Sequence, residues 1–211
     1  MHEAMRGVCE VTVIQSVSYD QEYIIKSIMK LCGIDRFSVD MTYGNGGFWK
    51  NIEKPLFKYD IDPQTIDTNQ ASSVDIPLGD GAVDSVMFDP PFLTYIKQGR
   101  EHDSIMGKRF SGYWRYDELE DHYRGTIKEA HRILMKKGIF VIKCQDIIHN
   151  HKMHSTHVNV INWSSGMFRL KDLFVLAAKH RIPVPQTQGT KKKVQKHARI
   201  HHSYFLVMEK I

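Results

Sequence analysis

Two consecutive prolines, one residue after a short apolar run, are the feature that most constrains this chain. Residues 85–88 are mostly apolar and follow a Gly79-Asp80-Gly81 turn, so they predict a buried central strand. Pro90 and Pro91 have no backbone N–H to donate and restrict the residue before them, so the strand must end there. Ligands bind at the carboxyl edge of the strands in open α/β sheets, which makes Asp89 a candidate site residue.

The residues Asp89-Pro90-Pro91-Phe92 resemble the Asp-Pro-Pro-aromatic signature of the amino-methyltransferases. These enzymes move a methyl group from S-adenosylmethionine (SAM) to the exocyclic amine of adenine or cytosine. Such an amine is a poor nucleophile because its lone pair is delocalised into the ring. The resemblance implies that the Asp89 carboxylate and the Pro90 carbonyl accept its hydrogens while the Phe92 ring stacks on the base. A simple strand-ending turn is the alternative interpretation of these four residues.

A glycine-rich turn follows residues 37–41, which predict the first strand of the sheet. Closely spaced glycines allow a tight turn and a close approach of the backbone to a ligand. The run 40–47 resembles the Asp-x-x-x-Gly-x-Gly cofactor loop of the same methyltransferases, with Met41 and Gly47 in place of the more common Pro and Thr. A phosphate-binding loop is the rival interpretation, and the missing Gly-Lys-Ser/Thr ending counts against it. The resemblance implies SAM contacts from Asp40, Thr42, Tyr43, Gly44 and Gly46.

Acidic and polar positions further along are candidates for the nucleoside part of the cofactor. Residues 55–60 predict the second strand, which ends in Asp60 about 20 residues after the first, the spacing at which an acid reaches a ribose diol in Rossmann-like folds. Asp62 is the second choice, and either acid could be an exposed turn residue. By the resemblance, the adenine-binding position falls on Ser72 or Asp75, and the sequence does not decide between them.

Two basic segments are candidates for substrate recognition. In residues 93–115, aromatic and cationic side chains are interleaved, the combination that stacks on unpaired bases and holds phosphates. Residues 186–202 form a second basic stretch beside the last predicted strand. A surface loop packed on the core and a solvated charge run are the competing interpretations. The candidate residues are Tyr95, Lys97, Arg100, Arg109, Tyr113, Trp114, Lys192, Lys196 and Arg199.

The remaining elements are predicted from periodicity and from capping residues. Residues 1–36 form a preface, with a short strand at 11–14 and a helix at 19–31 that has Asp20 as its N-cap and Gly33 as its stop. Apolar spacing further predicts helices at 117–137 and 164–180, and strands at 139–142 and 203–208.

Composition is that of a globular protein of 211 residues, with 42% hydrophobic and 25% charged residues, and it predicts a single domain over residues 1–211. A membrane span and a secretory signal are not expected, because no segment has their pattern. Three widely spaced cysteines predict a reducing compartment, the cytoplasm, and argue against structural zinc. The histidines between 149 and 157 lack the spacing of a metal site, so no metal is expected. The net charge of +5 and the pI near 9.0 favour a polyanionic partner.

The motifs occur in the order cofactor loop, acidic strand end, catalytic tetrapeptide, and the resemblance covers most of residues 20–211. It implies an α/β, Rossmann-like class I SAM-dependent methyltransferase fold, with a mixed seven-stranded sheet whose last strand is antiparallel. It also implies methyl transfer to the exocyclic amine of a nucleic-acid base, with N6 of adenine in DNA as the first expectation. An RNA or N4-cytosine methyltransferase with the same core, and a catalytically idle nucleic-acid-binding module, are the alternatives.

Overall fold

The computed structural model describes residues 13–92, 94, 113, 115–179 and 195–211. The helices are α1 (Gln21–Cys32), α2 (Tyr116–Ile133) and α3 (Thr156–Trp163), and a 3-10 turn covers Gly47–Trp49. The strands are β1 (Val17–Ser18), β2 (Val39–Asp40), β3 (Phe57–Asp60), β4 (Asn69–Gln70), β5 (Val83–Phe88), β6 (Leu134–Cys144), β7 (Ile147–His149), β8 (Lys152–His154), β9 (Phe168–Ala177) and β10 (His202–Lys210).

Within these ranges the main sheet has eight strands in the order β1-β9-β10-β6-β5-β2-β3-β4. The last strand, β10, is antiparallel to both of its neighbours, and the other paired strands are parallel. This confirms the expected mixed α/β sheet with an antiparallel last strand. The count is eight instead of seven, and it includes two-residue strands at both edges.

Helices cover both faces of the sheet, so its central strands are buried on both sides. Along β5, Val86 and Phe88 belong to the core under α2, whereas Met87 belongs to the opposite core under α1. This burial explains why residues 85–88 form an almost continuous apolar run. No helix in the described part of the chain is both long and apolar enough to cross a membrane.

The boundaries of α1 follow the predicted capping residues. The side chain of Asp20 accepts hydrogen bonds from the backbone N–H groups of Glu22 and Tyr23, which satisfies donors that a helix start leaves unpaired. Gly33 ends the helix with φ 65°, in the left-handed region that glycine adopts without strain. The predicted strand at 11–14 is not observed at Ile14, and a strand pairs instead at Val17–Ser18; residues 11 and 12 lie outside the described residues.

The prediction of a helix at 164–180 is wrong, because this segment forms strand β9 against β10. The pairing shifts by one residue, since Val207 pairs with Asp172 whereas Met208 pairs with Leu170. Lys171 is thereby the extra residue of a β-bulge, which interrupts the two-residue alternation expected of a strand. Apolar residues on either side of the bulge consequently have a spacing that resembles helical periodicity.

The helix predicted at 117–137 is α2, and it ends four residues early, at Ile133. Leu134 is already extended and begins β6, which continues through the predicted strand at 139–142. Lys137 has φ 63°, and Gly138 lies so close to the Asp84 carbonyl that a Cβ there would be 3.1 Å from that oxygen. Gly138 therefore allows a close strand contact and does not terminate the helix.

Candidate functional site

Asp89 follows β5 directly and lies at the carboxyl edge of the parallel strands, where the prolines were predicted to place it. Its backbone N–H donates to the Thr42 hydroxyl at 2.9 Å. Its Oδ2 accepts a hydrogen bond from the Lys143 ammonium at 3.2 Å. Pro90 is buried, whereas Pro91 and Phe92 are half-buried. The candidate catalytic residue is therefore held on both sides, at its backbone by the loop after β2 and at its carboxylate by Lys143 of β6.

The loop after β2 is organised around the buried carboxylate of Asp40. Its Oδ2 accepts from the Trp49 indole N–H at 2.6 Å, and its Oδ1 accepts from the Thr42 backbone N–H at 2.8 Å. Burial, with a smaller contribution from the carboxylates of Asp89 and Asp60, raises the pKa of Asp40 to about 7, against the lowering effect of these bonds. Asp40 is thus a structural centre of the loop, with its side chain turned away from solvent.

Two glycines give the loop its shape. Gly44 has φ 55°, and a Cβ built there would meet no described atom within 4 Å, so open space lies above this residue. Gly46 has φ 73°, and a Cβ there would come within 2.7 Å of the Tyr43 hydroxyl. The Tyr43 side chain is buried in the core under α1, so its predicted cofactor contact can come only from the backbone or the hydroxyl edge.

Asp60 ends β3 and is joined to the glycine loop by a direct hydrogen bond. Its Oδ2 accepts from the Gly44 backbone N–H at 2.7 Å, and its Oδ1 accepts from the Asp62 backbone N–H at 2.9 Å. The structure therefore brings the predicted ribose acid and the predicted cofactor loop together. Asp62, the second choice, is exposed and contributes a backbone group to the carboxylate of Asp60.

Ser72 and Asp75 form a tight turn beyond β4. The Ala71 backbone N–H donates to the Asp60 carbonyl at 3.0 Å, which places Ser72 beside the end of β3. The Asp75 backbone N–H donates to the Ser72 carbonyl at 2.9 Å, and Asp75 is exposed whereas Ser72 is half-buried. Of the two adenine candidates, Ser72 lies nearer in the chain to the acidic end of β3.

An open cavity of about 480 Å³ lies between the ends of β6 and β9, the start of β10 and the start of α1, and Lys143, the partner of Asp89, is one of the residues that line it. Two aromatic rings and four basic side chains give this basic cavity its character: Tyr19, Phe92, Lys143, Lys179, His201 and His202. Lys179 was missed because its segment was predicted to be helical. For Lys143, the only sign in the sequence was its position just after the predicted strand at 139–142.

The recognition candidates are only partly described. Tyr95, Lys97, Arg100, Arg109, Trp114 and Lys192 lie outside the described residues. The Tyr113 hydroxyl is hydrogen-bonded to His122 Nδ1, and its ring packs against the core under α2, so it anchors its segment and is not an open stacking platform. Lys196 and Arg199 are exposed just before β10, at the same edge of the sheet as the basic cavity.

The histidine-rich segment forms a small hairpin and the start of α3. His154 stacks on Tyr116 with ring centroids 3.7 Å apart, and His157 stacks on Tyr204 at 4.1 Å while its Nδ1 lies 2.7 Å from Asp146 Oδ1. Among the residues that the structure describes, no group of three or more histidine, cysteine or acidic side chains could hold a metal ion. His154 thus packs the hairpin against α2, and His157 packs α3 against β10.

No family model and no curated protein match the sequence. Solved structures match over most of the chain. The proposed methyltransferase bound to the Haloferax volcanii Trm112 methyltransferase activator is 14% identical, with a TM-score of 0.53 over 88% of this chain and 87% of that chain. The PH0226 protein from Pyrococcus horikoshii OT3 is 13% identical, with a TM-score of 0.51 over 90% and 89%. Together with the strand order, this likeness shows a Rossmann-like fold of the class I SAM-dependent methyltransferase type.

The residues around the glycine loop fit the cofactor that this fold implies. SAM carries a positively charged sulfonium, and the carboxylates of Asp60 and Asp89 lie close enough to Asp40 to raise its pKa. The open space above Gly44 gives a ligand direct access to the backbone. The site therefore offers negative charge and close backbone approach together, which suits a cationic nucleoside.

Proposed function

We propose that this protein is a SAM-dependent methyltransferase that modifies the exocyclic amine of a nucleic-acid base, with N6 of adenine in DNA as the first target to test. The observation that carries the proposal is the hydrogen bond between Thr42, in the glycine loop, and Asp89, in the Asp-Pro-Pro-Phe tetrapeptide. It links the candidate cofactor loop to the backbone of the candidate catalytic residue. Lys143, which pairs with Asp89, and Phe92, three residues after Asp89, both line the basic cavity.

In this proposal SAM, when bound, supplies an electrophilic methyl group on a sulfonium. Gly44 and Gly46 let the loop backbone approach the cofactor, Asp60 receives the ribose hydroxyls, and Ser72 or Asp75 contacts the adenine. Asp40 and Tyr43 shape the loop from beneath, since both side chains are buried. Thr42 connects the loop to Asp89.

The substrate amine needs acceptors for its hydrogens and a fixed orientation. The Asp89 carboxylate and the Pro90 carbonyl supply acceptors at the tip of β5, Pro91 keeps the chain extended, and the Phe92 ring at the cavity wall offers a stacking surface. Asp89 also stabilises the positive charge that develops on the nitrogen during transfer. Alignment and electrostatics thereby supply the rate enhancement.

The proposed nucleic-acid substrate is supported by the positive charge around the cavity. Lys179, His201 and His202 line it, and Lys196 and Arg199 are exposed shortly before His201 in the chain. Cations near aromatic rings suit a strand whose target base is turned out of its stack. Further contacts are proposed for Tyr95, Lys97, Arg100, Arg109, Trp114 and Lys192.

The test combines SAM titration with nucleoside analysis. Protein and SAM are incubated with DNA and RNA, single-stranded and duplex, and the polymers are then digested to nucleosides for mass analysis. We expect N6-methyl-2′-deoxyadenosine from the DNA. We expect the Asp89→Ala variant to form none of this product while it still binds SAM. Asp80→Ala, at an 84% exposed side chain before β5, is the matched control and should remain active.

Each other outcome of this test identifies an alternative. Methylated RNA or N4-methylcytosine would keep the mechanism and change the target. Tight nucleic-acid binding that does not depend on SAM, without any methylated product, would identify an idle binding module. Full activity of Asp89→Ala would refute the proposed catalytic role.

A further inference from the structure

Lys143 is an enclosed ammonium beside the proposed catalytic carboxylate. Its side chain is 12% exposed, and its Nζ donates to Asp89 Oδ2 at 3.2 Å and to Gln21 Oε1 at 2.9 Å. The rings of Phe48 and Phe205 lie below it, with centroids 5.4 and 5.6 Å from Nζ. One carboxylate, one amide and two aromatic faces therefore surround this single positive charge.

The strand register explains this placement. Lys143 is in β6 and pairs with Phe205 of β10, while Ile142, the residue before it, pairs with Phe88 of β5. Asp89 and Lys143 are therefore next to each other on adjacent parallel strands, at the point where both reach the carboxyl edge. Gln21, the first residue of α1, supplies the amide oxygen that accepts the second hydrogen bond from the Lys143 ammonium.

Lys143 distinguishes the two oxygens of Asp89. Oδ2 accepts from the ammonium, whereas Oδ1 has no partner among the described residues. The backbone N–H of Asp89 is held by Thr42. With its backbone and one oxygen restrained, the carboxylate presents its other oxygen in a defined direction. A small displacement of a group that aligns the substrate can cost much of the rate enhancement.

We propose that Lys143 is a positioning and specificity residue for the methyl transfer proposed above, on which this inference rests. It holds Asp89 through Oδ2 and leaves Oδ1 to accept a hydrogen from the substrate amine. It also balances the charge of Asp89. Lys143 would therefore repel an aliphatic ammonium, whose attraction to Asp89 is already offset by this ion pair, whereas the exocyclic amine of a base is neutral and meets no such repulsion.

Variants of Lys143 test the role in catalysis. Lys143→Met is expected to lower kcat on the order of 10²-fold, with the SAM dissociation constant unchanged, because Asp89 loses its restraint but the glycine loop does not. Lys143→Arg keeps a cation that can pair with Oδ2 and should recover about tenfold of that loss. The matched control is Lys210→Met, which removes an ammonium that also donates two hydrogen bonds, at the opposite edge of the sheet, and should leave kcat unchanged.

A double-mutant cycle in melting temperature tests the pair without any assay of activity. The losses from Asp89→Asn and Lys143→Met should fall short of additivity by about 2–4 °C in the double variant. The proposed role of Lys143 is overturned by any of three results: additive losses in melting temperature, a wild-type kcat in Lys143→Met, or no recovery of kcat in Lys143→Arg. None of these results contradicts the proposed methyltransferase activity. A coupled pair in a protein that methylates no nucleic acid would instead refute the proposed function, and with it the role of Oδ1.

Discussion

The hydroxyl of Thr42 accepts a hydrogen bond from the backbone N–H of Asp89 at 2.9 Å, although the two residues are 47 positions apart in sequence. They follow β2 and β5, which are neighbouring parallel strands. Thr42 receives its own backbone restraint from Asp40, whose Oδ1 accepts the Thr42 N–H at 2.8 Å. A chain of two hydrogen bonds thus runs from the buried acid of the glycine loop to the proposed catalytic acid. Displacement of either end is transmitted to the other through one threonine.

Thr42→Val removes this acceptor while keeping the shape of the side chain. The partly buried N–H of Asp89 is then unsatisfied, which costs about 1–3 kcal/mol in the free energy of unfolding. We expect that loss in urea denaturation, together with a lower kcat, because Asp89 is no longer tied to the loop. Thr42→Ser keeps the hydroxyl and is the control. Equal stability of the valine and serine variants would show that the bond has no energetic weight.

Gly44→Val should weaken SAM binding by about tenfold or more, measured by calorimetry. The left-handed conformation costs an L-residue about 1–2 kcal/mol, and a branched side chain would fill the open space above the loop. Gly33→Val is the matched control, because Gly33 has a similar φ and equally open surroundings but lies at the end of α1. Both variants should lose similar stability, and only Gly44→Val should lose SAM. Equal SAM affinity in the two would place the cofactor elsewhere.

Asp40 should make stability depend on pH between about 4 and 7. Burial raises its pKa to about 7 in the folded protein from 3.8, so the folded protein retains a proton that the unfolded chain has released. The contribution to stability is fully present below pH 3.8, falls as the pH rises, and is lost above pH 7. Between pH 5 and 8 the loss is about 3 kcal/mol.

The comparison with Asp40→Asn isolates this effect. The asparagine does not titrate, and its loss of an acceptor for the Trp49 indole N–H is independent of pH. Urea denaturation from pH 5 to 8 gives the unfolding free energy of both proteins. The difference between them should change by the same amount of about 3 kcal/mol over this range. A constant difference would contradict the raised pKa. Binding of cationic SAM nearby should favour the ionised acid and release a proton, seen as a binding heat that varies with the buffer.

The parts of the fold that sequence predicted well are those where one residue has a local consequence. Asp20 and Gly33 limit α1, and the prolines end β5, because capping, left-handed backbone and missing N–H groups act within a few residues. The order of the motifs could likewise be read along the chain. These features needed no knowledge of what packs against them.

The parts that sequence missed depend on partners far away in the chain. β9 is a strand because β10 pairs with it, and the bulge at Lys171 obscures its alternation. Lys143 acquires its importance from Gln21 and Asp89, 122 and 54 residues away. No spacing rule within a segment contains that information. Tyr113 shows the converse, because a residue typical of a nucleic-acid surface is instead held by His122.

Lys179 tests whether the basic cavity receives a nucleic-acid backbone. Its Nζ lies 5.7 Å from the centroid of the Tyr19 ring, and both residues line the cavity together with Phe92. If Lys179 neutralises one phosphate, Lys179→Met should reduce the salt dependence of binding, the slope of log K against log salt, by about 0.7 for single strands. Binding of all sequences should weaken alike, with SAM affinity unchanged. Lys128→Met, at an exposed position on α2, is the control, and an unchanged slope in Lys179→Met would remove the phosphate backbone from this cavity.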